Sequence, residues 1–308
     1  MNSRSILHIM VGMLDGKPSK SHLFYCSDLE ESACSKNVLA HFEKSLNIIF
    51  KNNINYDNIK AIITDSAKYC QKFFNDFKSK YSLTNIFHIK CLAHIIHIIC
   101  NNIRLKYKII DKFFTILNKF FISNIIKNKF KIFSKLSIPP KIIRTRWCSF
   151  LDLATYIFNN FNKIKRFLYS KLNINSYLLF LRNCLAQKRF KKDLSIINNY
   201  SFLSIYLKQL QDPNLCISKS FDIIEDIKNR LNNQDLLNKF DELITSNSGL
   251  TSIFNLSKND KDLSYCLSNS IDVEKSFSHL QKIVKNRPRL SIENIRKHLI
   301  IQLNHNKL

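Results

Sequence analysis

IKAIITDSAKYCQKFFNDFKSKYSLTNIFHIKCLAHIIHIICNNIR, residues 59–104, is the stretch on which the fold turns. It opens with a short apolar, mostly β-branched run from Ile59 to Thr64, bounded by polar residues, which is the pattern of a buried strand. From Ser66 the spacing becomes helical, with Tyr69, Phe73, Phe74 and Phe77 on one side. A second strand, Asn85 to Lys90, leads into a helix from Cys91 to about Arg104. Strand, helix and strand within so few residues predict a βαβ unit with its two strands parallel. Asp65 stands at the carboxyl end of the first strand, where open α/β sheets place their ligands. Aspartate is also a preferred helix N-cap, and the spacing serves both roles.

Outward from this unit, composition sets bounds. The 308 residues suffice for one or two cores, and 45% hydrophobic with 12% aromatic content is that of a globular chain. Against 23 acidic residues stand 48 Lys and Arg, a formal charge of +25. Such a surplus favours a polyanionic partner through phosphate neutralisation and counterion release, although an AT-rich coding bias toward Lys, Asn, Ile and Phe would also raise it. Nine cysteines are scattered with no CxxC pair and no secretory leader, the usage of reduced thiols inside a cell. No segment reaches the ~18 uninterrupted apolar residues of a membrane helix, so no membrane is expected as a partner. With three glycines in all, a glycine-rich phosphate loop is excluded.

Before the βαβ unit, Ser5–Leu14 and Ser21–Cys26 predict a hairpin about the turn at Asp15-Gly16. A helix from Ser35 to Phe50 follows, with Val38, Leu39, Phe42, Leu46 and Ile49 on one face. After the unit, Lys106 to Leu136 reads as a helix with a wide Ile/Phe face and a lysine face, ended by Pro139-Pro140. Helices are expected over Ser149–Leu172, Ser176–Lys188, Lys192–Leu210, Leu215–Asn232 and Asp235–Thr245, then a linker at Ser246-Asn247-Ser248-Gly249. A last helix from Ile292 carries Ile295, Leu299, Ile300 and Leu303 on one face.

Four blocks in this order resemble hAT-type DNA transposases and genes derived from them. They are TDSAKY at Thr64–Tyr69, FHIKCLAHIIHII at Phe87–Ile99, Arg144-Thr145-Arg146-Trp147 after the two prolines, and Asp272-Val273-Glu274-Lys275-Ser276-Phe277-Ser278. The resemblance implies an α/β fold with a ribonuclease-H-like mixed sheet, a helical insertion and a helical C-terminal region. Its parts would be core at 1–138, a reduced insertion at 139–250, and the rest of the core with a dimerisation region at 251–308. It implies Mg²⁺ or Mn²⁺ as cofactor, DNA as partner, homo-oligomers through the C-terminal region, and the nucleus as location. Asp65 and Glu274 would be the second and third catalytic and metal-binding acids of a site that cleaves and transfers DNA strands. Cys91 and His94 match the family's Cys-x-x-His beside that site, and Arg146 and Trp147 match a motif where the ring stacks on an unpaired base.

Each assignment has a plainer alternative. Glu274 could be an exposed helical acid paired with lysine, and Trp147 a core anchor. His88, Cys91, His94 and His97 recur at every third residue and invite zinc, yet a strand residue and three helix residues so spaced do not surround one point, so no structural zinc is expected. The family's first catalytic acid lies on a central strand that precedes the hairpin, and that strand has no counterpart here. Asp15, the early alternative, sits in a turn where aspartate is common. The reading that follows is a transposase-derived, DNA-associating protein, catalytically defective. The alternative is a homo-oligomerising interaction module with no role for DNA.

Overall fold

A computed structural model describes residues 5–18, 21–29, 32–142, 148–212, 214–287 and 289–305. The fold is α/β and mostly helical, 65% of it, with its strands in two small sheets. Strands β1 (Ile6–Val11) and β2 (His22–Asp28) form the expected hairpin, antiparallel, with a register shift between Ile9 and Met10. Next come α1 (Ser35–Ile49), β3 (Ala61–Thr64), α2 (Lys68–Lys80), β4 (Phe87–Lys90) and α3 (Leu92–Lys106). As the βαβ pattern requires, β3 and β4 are parallel, with Ala61 opposite Phe87 and Thr64 opposite Lys90. The four strands do not join into one mixed sheet. They remain two separate pairs.

The helical run continues through α4 (Lys108–Phe120), α5 (Asn124–Ser134), α6 (Ser149–Asn159), α7 (Phe161–Leu168), α8 (Ser176–Ala186), α9 (Lys188–Asn198), α10 (Phe202–Gln209), α11 (Ile217–Arg230), α12 (Gln234–Thr245), α13 (Ser248–Ser257), α14 (Ile271–Asn286) and α15 (Ile292–His305). The helix expected over Lys106–Leu136 is two helices, divided at Phe121–Ser123, and α5 stops at Lys135 in the left-handed region, φ 55°.

The chain forms two compact units. One takes Met1–Ile95, Leu210–Asp226 and Asp241–Leu308; the other takes Ile96–Gln209 and Ile227–Phe240. The second unit is all helical, around the buried rings of Phe113, Phe114, Phe130, Phe167 and Phe190. Their ring centroids lie 4.7 Å apart for Phe113–Phe190 and 5.0 Å for Phe130–Phe167. An ion pair between Arg104 and Asp111 at 2.7 Å holds the α3–α4 corner.

In the first unit, the helical spacing read from the sequence places Phe73, Phe74 and Phe77 of α2 against Val38 and Leu46 of α1, Ile62 of β3 and Ile86. Burial of each large side chain contributes ~1.5–3 kcal/mol. Leu7 of β1 packs on this cluster, whereas Ile6 and Met10 of the same strand pack on a second one, Leu23 and Cys26 with Leu280 of α14 and Leu299 of α15. Alternation along β1 thus gives its two faces to two different helix layers. The apolar face of α15 is therefore used inside its own unit. Leu299 is fully buried, with Ile295, Ile300 and Leu303 beside it.

The stretch expected as a linker is instead packed. Asn247 is 1% exposed, and its carboxamide makes two bonds to Lys90 of β4, accepting from the backbone N–H at 2.8 Å and donating to the carbonyl at 2.7 Å. A Cβ on Gly249 would stand 2.0 Å from the His88 carbonyl oxygen. Glycine is there because the helix backbone meets the strand backbone. Asn304 of α15 treats β2 in the same way, accepting from Leu23 N–H at 3.0 Å and donating to its carbonyl at 2.9 Å.

Candidate active site

Asp65 follows β3 directly and precedes α2. Its Oδ1 accepts from the Ala67 amide at 3.0 Å, so the carboxylate shapes the strand-to-helix turn with one oxygen. The Cys70 thiol, one turn into α2, also bonds to Asp65; burial and that negative charge push its pKa up to about 12, which keeps it a neutral donor. Beside it, His88 of β4 stacks on Phe74 with ring centroids 4.8 Å apart. Burial lowers the His88 pKa to about 4, helped by Lys90 and opposed by Asp65. Its Nε2 lies 2.8 Å from the Thr64 hydroxyl, which itself donates to the Asp65 carbonyl at 2.8 Å, and its Nδ1 lies 3.3 Å from Gln71 Oε1.

The parallel pair hands Asp65 to the far end of the chain through Cys91. This residue is fully buried at the start of α3. Its amide donates to the Thr64 carbonyl at 2.8 Å, and its Sγ accepts from the Ser270 amide at 3.2 Å. The next amide, Leu92 N–H, donates to Ser268 at 2.9 Å. Thr64 adjoins Asp65, and Ser270 immediately precedes α14, which carries Glu274 in its first turn. Glu274 is open to solvent on one side, yet its carboxyl is raised, first by partial burial and then by the charge of Asp65. The two acids therefore share one electrostatic neighbourhood.

A scan against protein-family models and a search of curated proteins each find no match for this chain.

The other expected site residues fall as follows. His94 is half-buried on α3, and its amide, with that of Ala93, lies under the Cys91 sulfur, whose pKa burial raises. A buried neutral thiol that accepts amide hydrogen bonds is a positioning group. His97 bonds through Nε2 to Asn101 at 3.0 Å, and His88 is held as described, so the side chains spaced by three have separate partners. Arg146 and Trp147 lie outside the described residues. Asp15 accepts from the Lys17 amide at 3.3 Å, as a turn residue does.

Among the described residues, no group of three or more His, Cys, Asp or Glu is arranged to hold a metal ion. Asp65 and Glu274 are a pair. Their donors suit a hard divalent cation such as Mg²⁺ or Mn²⁺, and a cation between them would relieve the repulsion that raises Glu274. Sequence reasoning missed Cys70, which contacts Asp65 from within an aromatic helix face, and Ser268 and Ser270, which anchor the Glu274 helix. Nothing in their spacing signals either role.

Proposed function

We propose that this protein is derived from a hAT-like transposase, with a ribonuclease-H-like core, and that it associates with DNA through its basic surface rather than cleaving it. The observation that carries the reading is the double hydrogen bonding of Cys91, to Thr64 beside Asp65 and to Ser270 before Glu274. Two acids remote in sequence and singled out by one family's motifs are thereby tied to one strand end, with the Cys-x-x-His cysteine as the tie.

In this reading Asp65 and Glu274 would hold Mg²⁺ or Mn²⁺, which when bound supplies charge neutralisation at a phosphate and an acidified water. Cys91 orients the turn before Glu274, Cys70 donates to Asp65, and Arg146 and Trp147 would contact DNA. Two carboxylates give a weak site, consistent with lost catalysis. The charge of +25 supports phosphate contacts.

Two measurements test this. Millimolar Mg²⁺ or Mn²⁺ should raise the melting temperature slightly by binding the folded state, and Asp65→Ala or Glu274→Ala should each remove that rise. A metal response unchanged in Asp65→Ala would mean that the shared site is wrong. Duplex DNA binding should weaken steeply with added salt. Absence of DNA binding, with stable homo-oligomers insensitive to salt, would favour the interaction-module reading instead, although the internal packing of Leu299 counts against the C-terminal face as its contact surface.

A further inference from the structure

We propose that Cys100 and Cys148 are a modification site, at which a hydroperoxide converts two buried thiols into one disulfide that clips α3 to the start of α6. The inference goes beyond the transposase reading and does not depend on it. Both residues belong to the second unit, and their sulfurs lie 2.7 Å apart although the residues are 48 positions apart in the chain. A disulfide bond is ~2.05 Å long, so a sulfur movement of ~0.6–0.7 Å closes it. Other thiols bond to different groups. Cys70 meets Asp65, Cys91 the Ser270 amide and Cys216 the Ser218 hydroxyl.

The backbone at Cys148 adopts a disfavoured conformation at this contact. Its φ of 54° and ψ of 11° lie in the left-handed region, where Cβ crowds the following carbonyl. Cys148 occupies the N-cap of α6, a position that Ser, Thr, Asp and Asn usually fill in extended backbone, with a side-chain oxygen on the helix amides. It gives α6 no such side-chain bond. Its carbonyl accepts from the Leu151 and Asp152 amides at 2.9 and 3.1 Å, while its sulfur meets Cys100. A left-handed residue other than glycine persists only where its surroundings fix it, and such outliers gather at functional positions.

Burial selects the oxidant. Cys100 is 3% and Cys148 2% exposed, which shuts out a bulky disulfide reagent, whereas hydrogen peroxide is close to water in size. Burial first, and then its neighbour Cys148, hold the Cys100 thiol well above its ordinary pKa, so the reaction is slow. One sulfur takes an oxygen from the peroxide, giving a sulfenic acid and a water. The second thiol attacks that sulfur; the S–S bond forms, the S–O bond breaks and a second water leaves. Both sulfurs are oxidised, the peroxide is reduced, and the two thiol hydrogens depart in the waters. A dithiol reductant reverses the link. The loop so closed carries α4 and α5 and is rich in Lys and Arg, with Asp111 its single acid, so the clip ties together the two ends of a strongly basic segment.

Peroxide treatment of the folded, fully reduced chain tests this, followed by alkylation of the remaining thiols and peptide mass mapping. Two of the nine thiols should be lost, in one pair of linked peptides that contains Cys100 and Cys148, and dithiothreitol should restore both. The oxidised chain should melt ~5 °C or more above the reduced one, because closing a long loop constrains the unfolded state. Cys100→Ala and Cys148→Ala should each lose both the link and the peroxide-induced rise. Should either variant fail to fold, the peptide map of the wild-type chain decides alone. The proposal is overturned if the folded chain keeps all its thiols at saturating peroxide, or if Cys100 and Cys148 are found unlinked or joined to other cysteines. A Cys100–Cys148 link that forms only after unfolding in urea overturns it as well.

Discussion

The two strand pairs of the first unit are built alike and assembled differently. Each carries one buried histidine stacked on a phenylalanine, and each is closed at its outer edge by an asparagine. In the parallel pair the histidine's partners are local, with Thr64, Gln71 and Phe74 all inside the βαβ unit. In the hairpin, His8 stacks on Phe277 at 4.1 Å and bonds to Ser276 at 2.5 Å, a partner 268 residues away. The hairpin's register is set by its own turn, but its burial is set by the far end of the chain. Local strand pairing and tertiary cover are thus separable, and contacts of such long range are the slow ones to form.

The comparison breaks most visibly at the glycines. Gly249→Val should remove ~3 kcal/mol or more of stability, because its Cβ meets the β4 backbone rather than a movable side chain. Gly16→Ala in the hairpin turn, at φ +71°, should cost only ~1–2 kcal/mol. Urea unfolding of both variants checks the ranking, and a mild Gly249→Val would show that the β4–α13 contact can open.

Acid comes next. Burial lowers both His8 and His88 to about 4, so the unfolded chain, at its ordinary 6.5, takes up protons first as pH falls. The stability each neutral ring contributes is complete above pH 6.5 and is lost progressively as pH drops toward 4, by up to ~3 kcal/mol per ring. His8 feels it without relief, since its Nε2 has no hydrogen-bond partner among the described residues for an added proton. Unfolding measured at stepped pH should show this decline, and His8→Gln or His88→Gln should each remove part of the slope. A flat profile between pH 7 and 5 would mean that the rings are solvated.

Smaller effects separate the two closures. Asn247→Ala and Asn304→Ala should each cost ~1–3 kcal/mol by leaving one strand's N–H and C=O without their partner, and similar losses would show that the two seals are equivalent. Least of all, Glu274→Gln should raise stability slightly at neutral pH without divalent cations. It removes a charge that partial burial and Asp65 both disfavour. A loss of stability there would mean that the carboxylate has a favourable partner.

The βαβ unit was legible because an apolar strand run, a helical aromatic spacing and a second strand run all agree within a few dozen residues, and the structure departs from it by a residue or two at the ends. Tyr69 is the exception on α2, 36% exposed while the three phenylalanines are buried. The break at Phe121–Ser123 was hidden because the apolar pattern runs across it with no glycine or proline to mark it. Gly249 misled for the opposite reason, since a Ser/Gly stretch reads as a loop whether the glycine serves flexibility or close approach. The face of α15 was visible as a pattern, but periodicity does not name the surface that covers it. Asp65 could be placed at a strand end from the sequence, and Glu274 only through the resemblance. Cys91's tie between them depends on tertiary hydrogen bonds that no local pattern encodes.

The Asn304 seal also has a place in time. Leu23 leaves the ribosome long before Asn304 is made, for the two are 281 residues apart. At ~5–20 residues per second, the β2 edge waits on the order of 15–60 s for its partner during synthesis. Throughout that interval the hairpin is a bare template on a growing chain, open to neighbouring nascent chains and to any chaperone that grips extended strands. Translation rate therefore becomes a variable in the yield of folded protein, and slowing the final third of the message should lengthen the period of risk.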